Sequence, residues 1–364
     1  LKTTRIAPGE YYRGCGVIKE TGELAKRFGQ RALVLGGVKA LAAVDDRLPQ
    51  ALEQAGIAYD IEYFTGFCSQ NQIQKYRDML NGYDMLIAVG GGRVMDCAKA
   101  AGYLADKPLI TIPTIVATCA SWTALSIIYT DNGAFESAFE YPLLPKAVLV
   151  DLEVLIQAPE RYLAAGIADS LAKWIEISLN ARCLRRLPVP VVTCLSLADM
   201  AYQNLIDKGL AAIEANRNHE ITPEFEEIVD TLLLLIGIVS GLAGEDMRLA
   251  VGHAVYYQMS HFPSTEGYLH GEKVAFGLGI QQVLDEKSDE EVMTFLKFLD
   301  TLKLPITLAG FGMKDEREQK QLFALLAEDI SLREAPFDSS RDRIEQAFLK
   351  VASLSNRMKT EEVV

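Results

Sequence analysis

Met85-Leu86-Ile87-Ala88-Val89-Gly90-Gly91-Gly92-Arg93-Val94-Met95-Asp96-Cys97-Ala98-Lys99 is the stretch on which the fold turns. Its first five residues form an unbroken apolar run, as expected of a strand covered on both faces in a parallel sheet. From Val94 onward the apolar residues fall three and four apart, which predicts an amphipathic helix over 94–104. Three residues without Cβ stand between the two. Such a strand-to-helix turn lets backbone N–H groups approach phosphate oxygens, and the helix N-terminus adds roughly half a positive charge. A plain tight turn accounts for the same glycines. The standard dinucleotide fingerprint GxGxxG is absent after the first strand.

Outward from this stretch, short β-branched runs at 32–35, 59–64, 109–112 and 147–150 alternate with helical patterns at 39–54 and 71–80. That alternation predicts an α/β N-terminal domain with a Rossmann-like parallel sheet. A hairpin interrupts it: 124–130 reads as a strand, Asp131-Asn132-Gly133 as a tight turn, and the chain returns through Phe135. After Asp151 the strand signals stop. Apolar-periodic segments at 160–179, 190–206, 223–242, 248–259 and 290–302 predict an all-α C-terminal domain. The change of character near Ala158 divides the chain into expected domains 1–157 and 158–364, with the active site expected in the cleft between them. At 364 residues the chain also exceeds the size at which a single core usually stops growing.

Composition narrows the function classes. Apolar residues make up 49% and charged residues 23%, which suits a well-packed globular enzyme rather than a disordered chain. The formal charge of -13 repels a polyanion, and no basic run interleaved with aromatics supplies a phosphate-tracking face, so nucleic acid is not an expected partner. The six cysteines, Cys15, Cys68, Cys97, Cys119, Cys183 and Cys194, include no CxxC pair, and reduced thiols are expected. Residues 1–9 lack the apolar core of a signal peptide. The segment 232–243 reads as the most apolar stretch; at about twelve residues it is too short for a bilayer and is expected to be a buried helix. A cytoplasmic homo-oligomer acting on a small-molecule substrate, with no membrane partner, is the resulting expectation.

The residues carry a resemblance. GGGxxxDxxK over 90–99, Pro113-Thr114-Ile115, the run Thr123-Ala124-Leu125-Ser126-Ile127-Ile128-Tyr129, Gly166-Ile167-Ala168-Asp169 and Leu269-His270-Gly271-Glu272-Lys273-Val274 are together similar to glycerol dehydrogenases and their iron-containing alcohol dehydrogenase relatives, over nearly the whole chain. The resemblance implies a dehydroquinate synthase-like fold and a nicotinamide- and metal-dependent dehydrogenase. It implies that Gly91, Gly92, Arg93, Val94, Met95 and Asp96, with Thr114, Ile115, Val116 and Ala117, line the pyrophosphate and ribose, and that Thr123, Leu125 and Tyr129 lie near the nicotinamide. It also implies a metal ligand set of Asp169, His253 and His270, which would then be the catalytic centre. His219 and His261 match no ligand position.

Three departures qualify it. Where NAD-linked members carry an aspartate for the adenosine ribose, this chain reads Gly36-Gly37-Val38-Lys39, so NADP(H) is expected beside NAD(H), with Gly37 making room and Lys39 offering a cation. Lys39 also reads as an ordinary surface lysine at a helix start. Iron-containing members place a further histidine where this chain has Lys173; three N/O ligands with an open position suit Zn²⁺ better than Fe²⁺. Where glycerol dehydrogenases carry a substrate-binding aspartate, this chain has Cys119, and Cys119, Trp122 and Lys173 together resemble the hydroxycarboxylate dehydrogenase branch. The expected substrate is therefore a small 2-oxo acid or 2-hydroxy acid, bound by Cys119, Trp122, Lys173 and His253. Glycerol or another small polyol is the alternative. A dehydroquinate synthase-type lyase fits less well, since Lys173 is the chief cation near the ligand set, and a nucleotide-binding protein without turnover fits poorly with three retained ligands.

Overall fold

The computed structural model describes residues 6–142, 145–244, 247, 250–333 and 335–361. In chain order the strands are β1 (Glu10–Gly14), β2 (Arg31–Gly36), β3 (Ala58–Tyr63), β4 (Met85–Gly90), β5 (Leu109–Pro113), β6 (Leu125–Tyr129), β7 (Phe135–Glu140) and β8 (Ala147–Asp151). The α-helices are α1 (Thr21–Ala25), α2 (Val38–Val44), α3 (Arg47–Gln54), α4 (Gln70–Met79), α5 (Gly92–Leu104), α6 (Leu152–Leu155), α7 (Glu160–Arg182), α8 (Val189–Asn218), α9 (Pro223–Asp230), α10 (Ile236–Ala243), α11 (Val251–Met259), α12 (His270–Leu284), α13 (Asp289–Thr301), α14 (Glu316–Glu328), α15 (Ile330–Arg333) and α16 (Arg341–Glu361). The chain forms two compact units, Leu1–Leu163 with Asp207–Leu242, and Ala164–Ile206 with Ala243–Val364. The segment Asp207–Leu242, inside the span expected as the second domain, thus packs with the N-terminal part of the chain.

In the first unit six strands form a parallel sheet in the order β1-β8-β5-β4-β2-β3. Alternate residues of β2 and β4 feed two separate cores: Leu33, Leu35, Leu86 and Ala88 pack into one, and Ala32, Val34, Met85, Ile87 and Val89 into the other. Burial on both faces is why β4 carries no polar alternation. Asp151, at the end of β8, is fully buried and accepts hydrogen bonds from the amides of Gly16 (3.1 Å), Ile18 (3.2 Å) and Glu153 (3.0 Å), tying the loop after β1 to the start of α6. The expected hairpin is present as the separate antiparallel pair β6-β7.

Several expectations need correction. The single helix over 39–54 is two, α2 and α3, because Asp45 adopts φ 45° and turns its carboxylate onto the amide of Arg47 at 2.9 Å; a short acidic side chain competes locally with helical bonding. The helix over 223–242 is interrupted by a π-turn at Thr231–Leu235 between α9 and α10. The segment 190–206 continues to Asn218. Among the described residues this α8 is the one helix long and apolar enough to cross a membrane by length and composition alone. The first three residues of the helix expected over 248–259 include two, 248 and 249, that lie outside the described residues; α11 starts at Val251. Strand β1 and helices α14 and α16 are additions.

Candidate cofactor and metal sites

The first unit holds the glycine turn. Gly90 ends β4 with φ +148°, Gly91 caps α5 in an extended conformation, and no acidic residue stands in the first turn of that helix. A Cβ on Gly91 would lie 2.5 Å from Ile115 Cδ1, and one on Gly92 would lie 3.4 Å from Thr118 Oγ1. The cradle therefore accepts backbone only, facing the N-terminus of a thirteen-residue helix, which fits a pyrophosphate. The flanking side chains divide. Val94 and Met95 are buried in the sheet core, so their part in any nucleotide contact is confined to backbone. Arg93 is exposed, its guanidinium 4.3 Å from the centre of the Phe67 ring. Thr114 and Val116 are buried, whereas Ile115, Ala117, Thr123, Leu125 and Tyr129 keep partial exposure.

Asp96 pairs with Lys99 at 2.9 Å, both nearly buried. Lys99 also donates to the carbonyl of Leu125 and, at 3.4 Å, to Thr123 Oγ1, while Ser126 Oγ donates to the Asp96 carbonyl at 2.7 Å. This network fastens the glycine-turn helix to β6. Gly37 caps α2, with open space where a Cβ would sit, and Lys39 is exposed in the first turn.

Residues expected at the substrate lie partly in this unit. Cys119 Sγ is 3.9 Å from Ser240 Oγ. Trp122 is buried, edge-on to Tyr11 at 5.4 Å between ring centres, and lies against Gly237, where a Cβ would come within 2.3 Å of the indole. Trp122 is thus part of the internal packing rather than of an open wall.

The second unit brings together the three expected ligands. Asp169 on α7, His253 on α11 and His270 at the start of α12 offer ligand atoms that all lie within 4.8 Å of one another. Asp169 Oδ1 is 3.0 Å from His270 Nε2 and 3.9 Å from His253 Nε2; it is fully buried, and neither nitrogen donates to it in hydrogen-bonding geometry. Ligands around a tetrahedral zinc are about 3.3 Å apart when the bonds are about 2.0–2.1 Å. A buried carboxylate oxygen without a donor among the described residues, flanked by two imidazole nitrogens at such spacings, fits a divalent ion. Burial pushes the Asp169 carboxyl up, but His270, Lys173 and His253 outweigh it and hold the group below the usual carboxylate range.

Glycines set these distances. A Cβ on Gly271 would meet the Ala165 carbonyl oxygen at 2.0 Å, and one on Gly277 would meet Gly252 Cα at 2.8 Å, so α12 packs backbone-to-backbone on both α7 and α11. Lys173, 7% exposed, follows Asp169 by one turn of α7. Glu176, fully buried two turns beyond Asp169 and hydrogen-bonded to His253, was not among the expected residues. Its signal was available: Asp169, Lys173 and Glu176 form an i, i+4, i+7 polar stripe on a largely buried helix.

Lys273, also on α12, is buried, and burial pushes its ammonium down to about 8 against the opposing pulls of Glu272 and Glu266. Below that pH the folded chain carries a buried charge that the unfolded chain keeps hydrated, with its usual value of 10.5. Stability from this group therefore rises between about pH 8 and 10.5 and is penalised below, by about 3 kcal/mol at most. Lys273→Met is expected to raise the melting temperature near pH 7 and to lose that advantage near pH 10.5. A gain that is constant across this range in thermal melts would contradict it.

Comparisons with known proteins identify the family. Residues 8–152 match the family model for iron-containing alcohol dehydrogenase. The chain is 34% identical over 355 residues to a glycerol dehydrogenase of Escherichia coli, covering 94% of this chain and 95% of that protein. It is 33% identical over 331 residues to hydroxycarboxylate dehydrogenase A of E. coli, covering 89% and 90%. The crystal structure of glycerol dehydrogenase from Schizosaccharomyces pombe superposes with a TM-score of 0.88 at 27% identity, over 100% of this chain and 93% of that one. With a glycine cradle in one unit and a carboxylate–imidazole ligand set in the other, the chain belongs to the glycerol dehydrogenase and iron-containing alcohol dehydrogenase superfamily, oxidoreductases that act on CH–OH donors with a nicotinamide cofactor and a divalent metal.

Proposed function

We propose that this protein interconverts small 2-oxo acids and 2-hydroxy acids. The observation that carries the reading is Lys173, a buried cation one turn from Asp169 on α7. Asp169 already offsets part of the cost of burying that ammonium, and a substrate carboxylate would be a second anion for it. Position 119 supports the same reading: a thiol there imposes none of the like-charge repulsion that an aspartate would impose on a carboxylate at low effective dielectric.

In this reading Asp169, His253 and His270 hold a divalent ion, with zinc favoured by a three-ligand N/O set. Gly91, Gly92 and the α5 N-terminus bind the pyrophosphate, and the Asp96–Lys99 pair keeps that helix in place against β6. Lys173 orients the substrate by its carboxylate. The ion supplies Lewis-acid polarisation of the substrate oxygen and the nicotinamide supplies the hydride. Gly37 and Lys39 favour NADP(H): an exposed cation beside open space suits a 2′-phosphate.

A second reading, glycerol with dihydroxyacetone, is favoured by the glycerol dehydrogenases of E. coli, Pseudomonas putida and Thermotoga maritima among the relatives. The deciding comparison is kcat/KM for 2-oxobutanoate or 2-oxoglutarate against glycerol and dihydroxyacetone, in wild type, Cys119→Asp and Lys173→Ala. Oxo acids are expected to be the better substrates, and each substitution to cost them tenfold or more, about 1.4 kcal/mol. Preference for the polyol pair with oxo-acid turnover unaltered in both variants would leave the second reading in place. For the cofactor, NADPH is expected to compete well with NADH, and Lys39→Ala to reduce kcat/KM for NADPH about tenfold. A strong NADH preference untouched by the substitution would remove Lys39 from that role.

A further inference from the structure

Glu176 is not one of the three ligands, yet it is the most completely enclosed carboxylate beside them, with no solvent exposure. Burying an ionised carboxylate requires donors for its oxygens, and here they come from a single place, the start of the helix that carries His253. Oε1 accepts from the amide of Ala250 at 3.1 Å and from the amide of His253 at 3.0 Å; Oε2 lies 2.5 Å from His253 Nδ1. The α11 N-terminus has no side-chain cap of its own from Ala250, so a glutamate from α7 satisfies its first-turn amides in trans and places a negative charge at the positive end of the helix. Gly252 leaves room for it, since a Cβ there would stand 3.1 Å from Oε1. Gln281 of α12 completes the arrangement by accepting from the Val251 amide at 3.2 Å while donating to the Ile175 carbonyl at 3.0 Å.

The same carboxylate also decides which nitrogen of His253 carries the proton. At 2.5 Å from Oε2, Nδ1 bears an N–H, because a lone pair there would face a carboxylate lone pair. A neutral ring then has its free lone pair on Nε2, the nitrogen 3.9 Å from Asp169 Oδ1. We propose that Glu176 is a positioning residue for the metal centre: it holds His253 in the Nδ1–H tautomer and aims Nε2 at the site shared with Asp169 and His270. The inference rests on the reading of those three residues as metal ligands.

Glu176→Gln separates this role from simple capping. The glutamine carbonyl still accepts from the two backbone amides, but its NH₂ group then donates to Nδ1, favouring the Nε2–H tautomer, whose Nε2 has no lone pair to give a metal. Zinc affinity of chelator-stripped protein, measured by competition with a chromogenic chelator, is expected to fall ten- to a hundredfold, with the visible Co²⁺ spectrum altered and the metal-free melting temperature close to wild type. Unchanged zinc affinity and an unchanged Co²⁺ spectrum in a folded Glu176→Gln variant would overturn the proposal and leave the ligand set standing; wild type that binds no divalent ion would overturn both. If the variant does not fold, ¹⁵N-histidine NMR of metal-free wild type gives the answer directly. His253 is expected as the Nδ1–H tautomer, and the Nε2–H form would overturn the assignment.

Discussion

His253→Ala and His270→Ala are each expected to lower turnover by a hundredfold or more and to abolish tight metal binding, without unfolding the protein. Even the loss of an outer partner of a metal ligand typically costs ten- to a hundredfold, and here a ligand itself is removed from a set of three. The consequence for stability runs the other way in part. Asp169 is buried and depressed mainly through His270, with Lys173 and His253 adding to it, so removing His270 leaves a buried carboxylate with less to offset its desolvation. His270→Ala is therefore expected to melt lower than His253→Ala in metal-free protein, and calorimetry of the two variants side by side checks the order. Turnover in both variants equal to that of metal-replete wild type would remove the two imidazoles from the centre.

Gly271→Ala is the second large effect. One methyl group is added, but it would stand 2.0 Å from a backbone oxygen of α7 and 3.1 Å from Asp169 Cβ. Backbone cannot rotate aside as a side chain can, so α7 and α12 must separate, and with them Asp169 and His270, the latter immediately preceding the substituted residue. Overpacking of this kind costs about 1–3 kcal/mol, and often more against backbone; a fall in melting temperature of several degrees is expected, together with at least a tenfold loss of zinc affinity. Alanine ordinarily favours a helix over glycine by about 1 kcal/mol, so a stabilised variant with intact metal binding would show that the close approach of the two helices is not what sets the ligand distances.

Much of the fold could be read from residue order because its signals are local. The apolar run of β4, the three glycines and the periodicity of α5 lie within one stretch, and each favours the same strand-turn-helix unit. Strand β1 escaped the reading because Glu10–Gly14 mixes charge with aromatics and pairs with β8 alone, at an edge of the sheet. The break between α2 and α3 depends on a single left-handed Asp45, which periodicity averages away. At the proposed metal centre Asp169, His253 and His270 were singled out through a family resemblance rather than spacing, since they are spread over a hundred residues and three helices. Glu176 shows in the sequence only as part of the polar stripe with Asp169 and Lys173; its backbone partners, the amides of Ala250 and His253, carry no sequence signature. The close helix approaches at Gly252, Gly271 and Gly277 likewise exist only once the helices are packed.

Metal reconstitution followed at 340 nm shows whether catalysis needs the ion. Protein stripped with a chelator and assayed for oxidation of NADH and NADPH in the presence of a carbonyl substrate is expected to be inactive, and to regain its full rate at one equivalent of added Zn²⁺ per chain. Full turnover in stripped protein, or no recovery with any divalent ion, would contradict a catalytic metal at Asp169, His253 and His270.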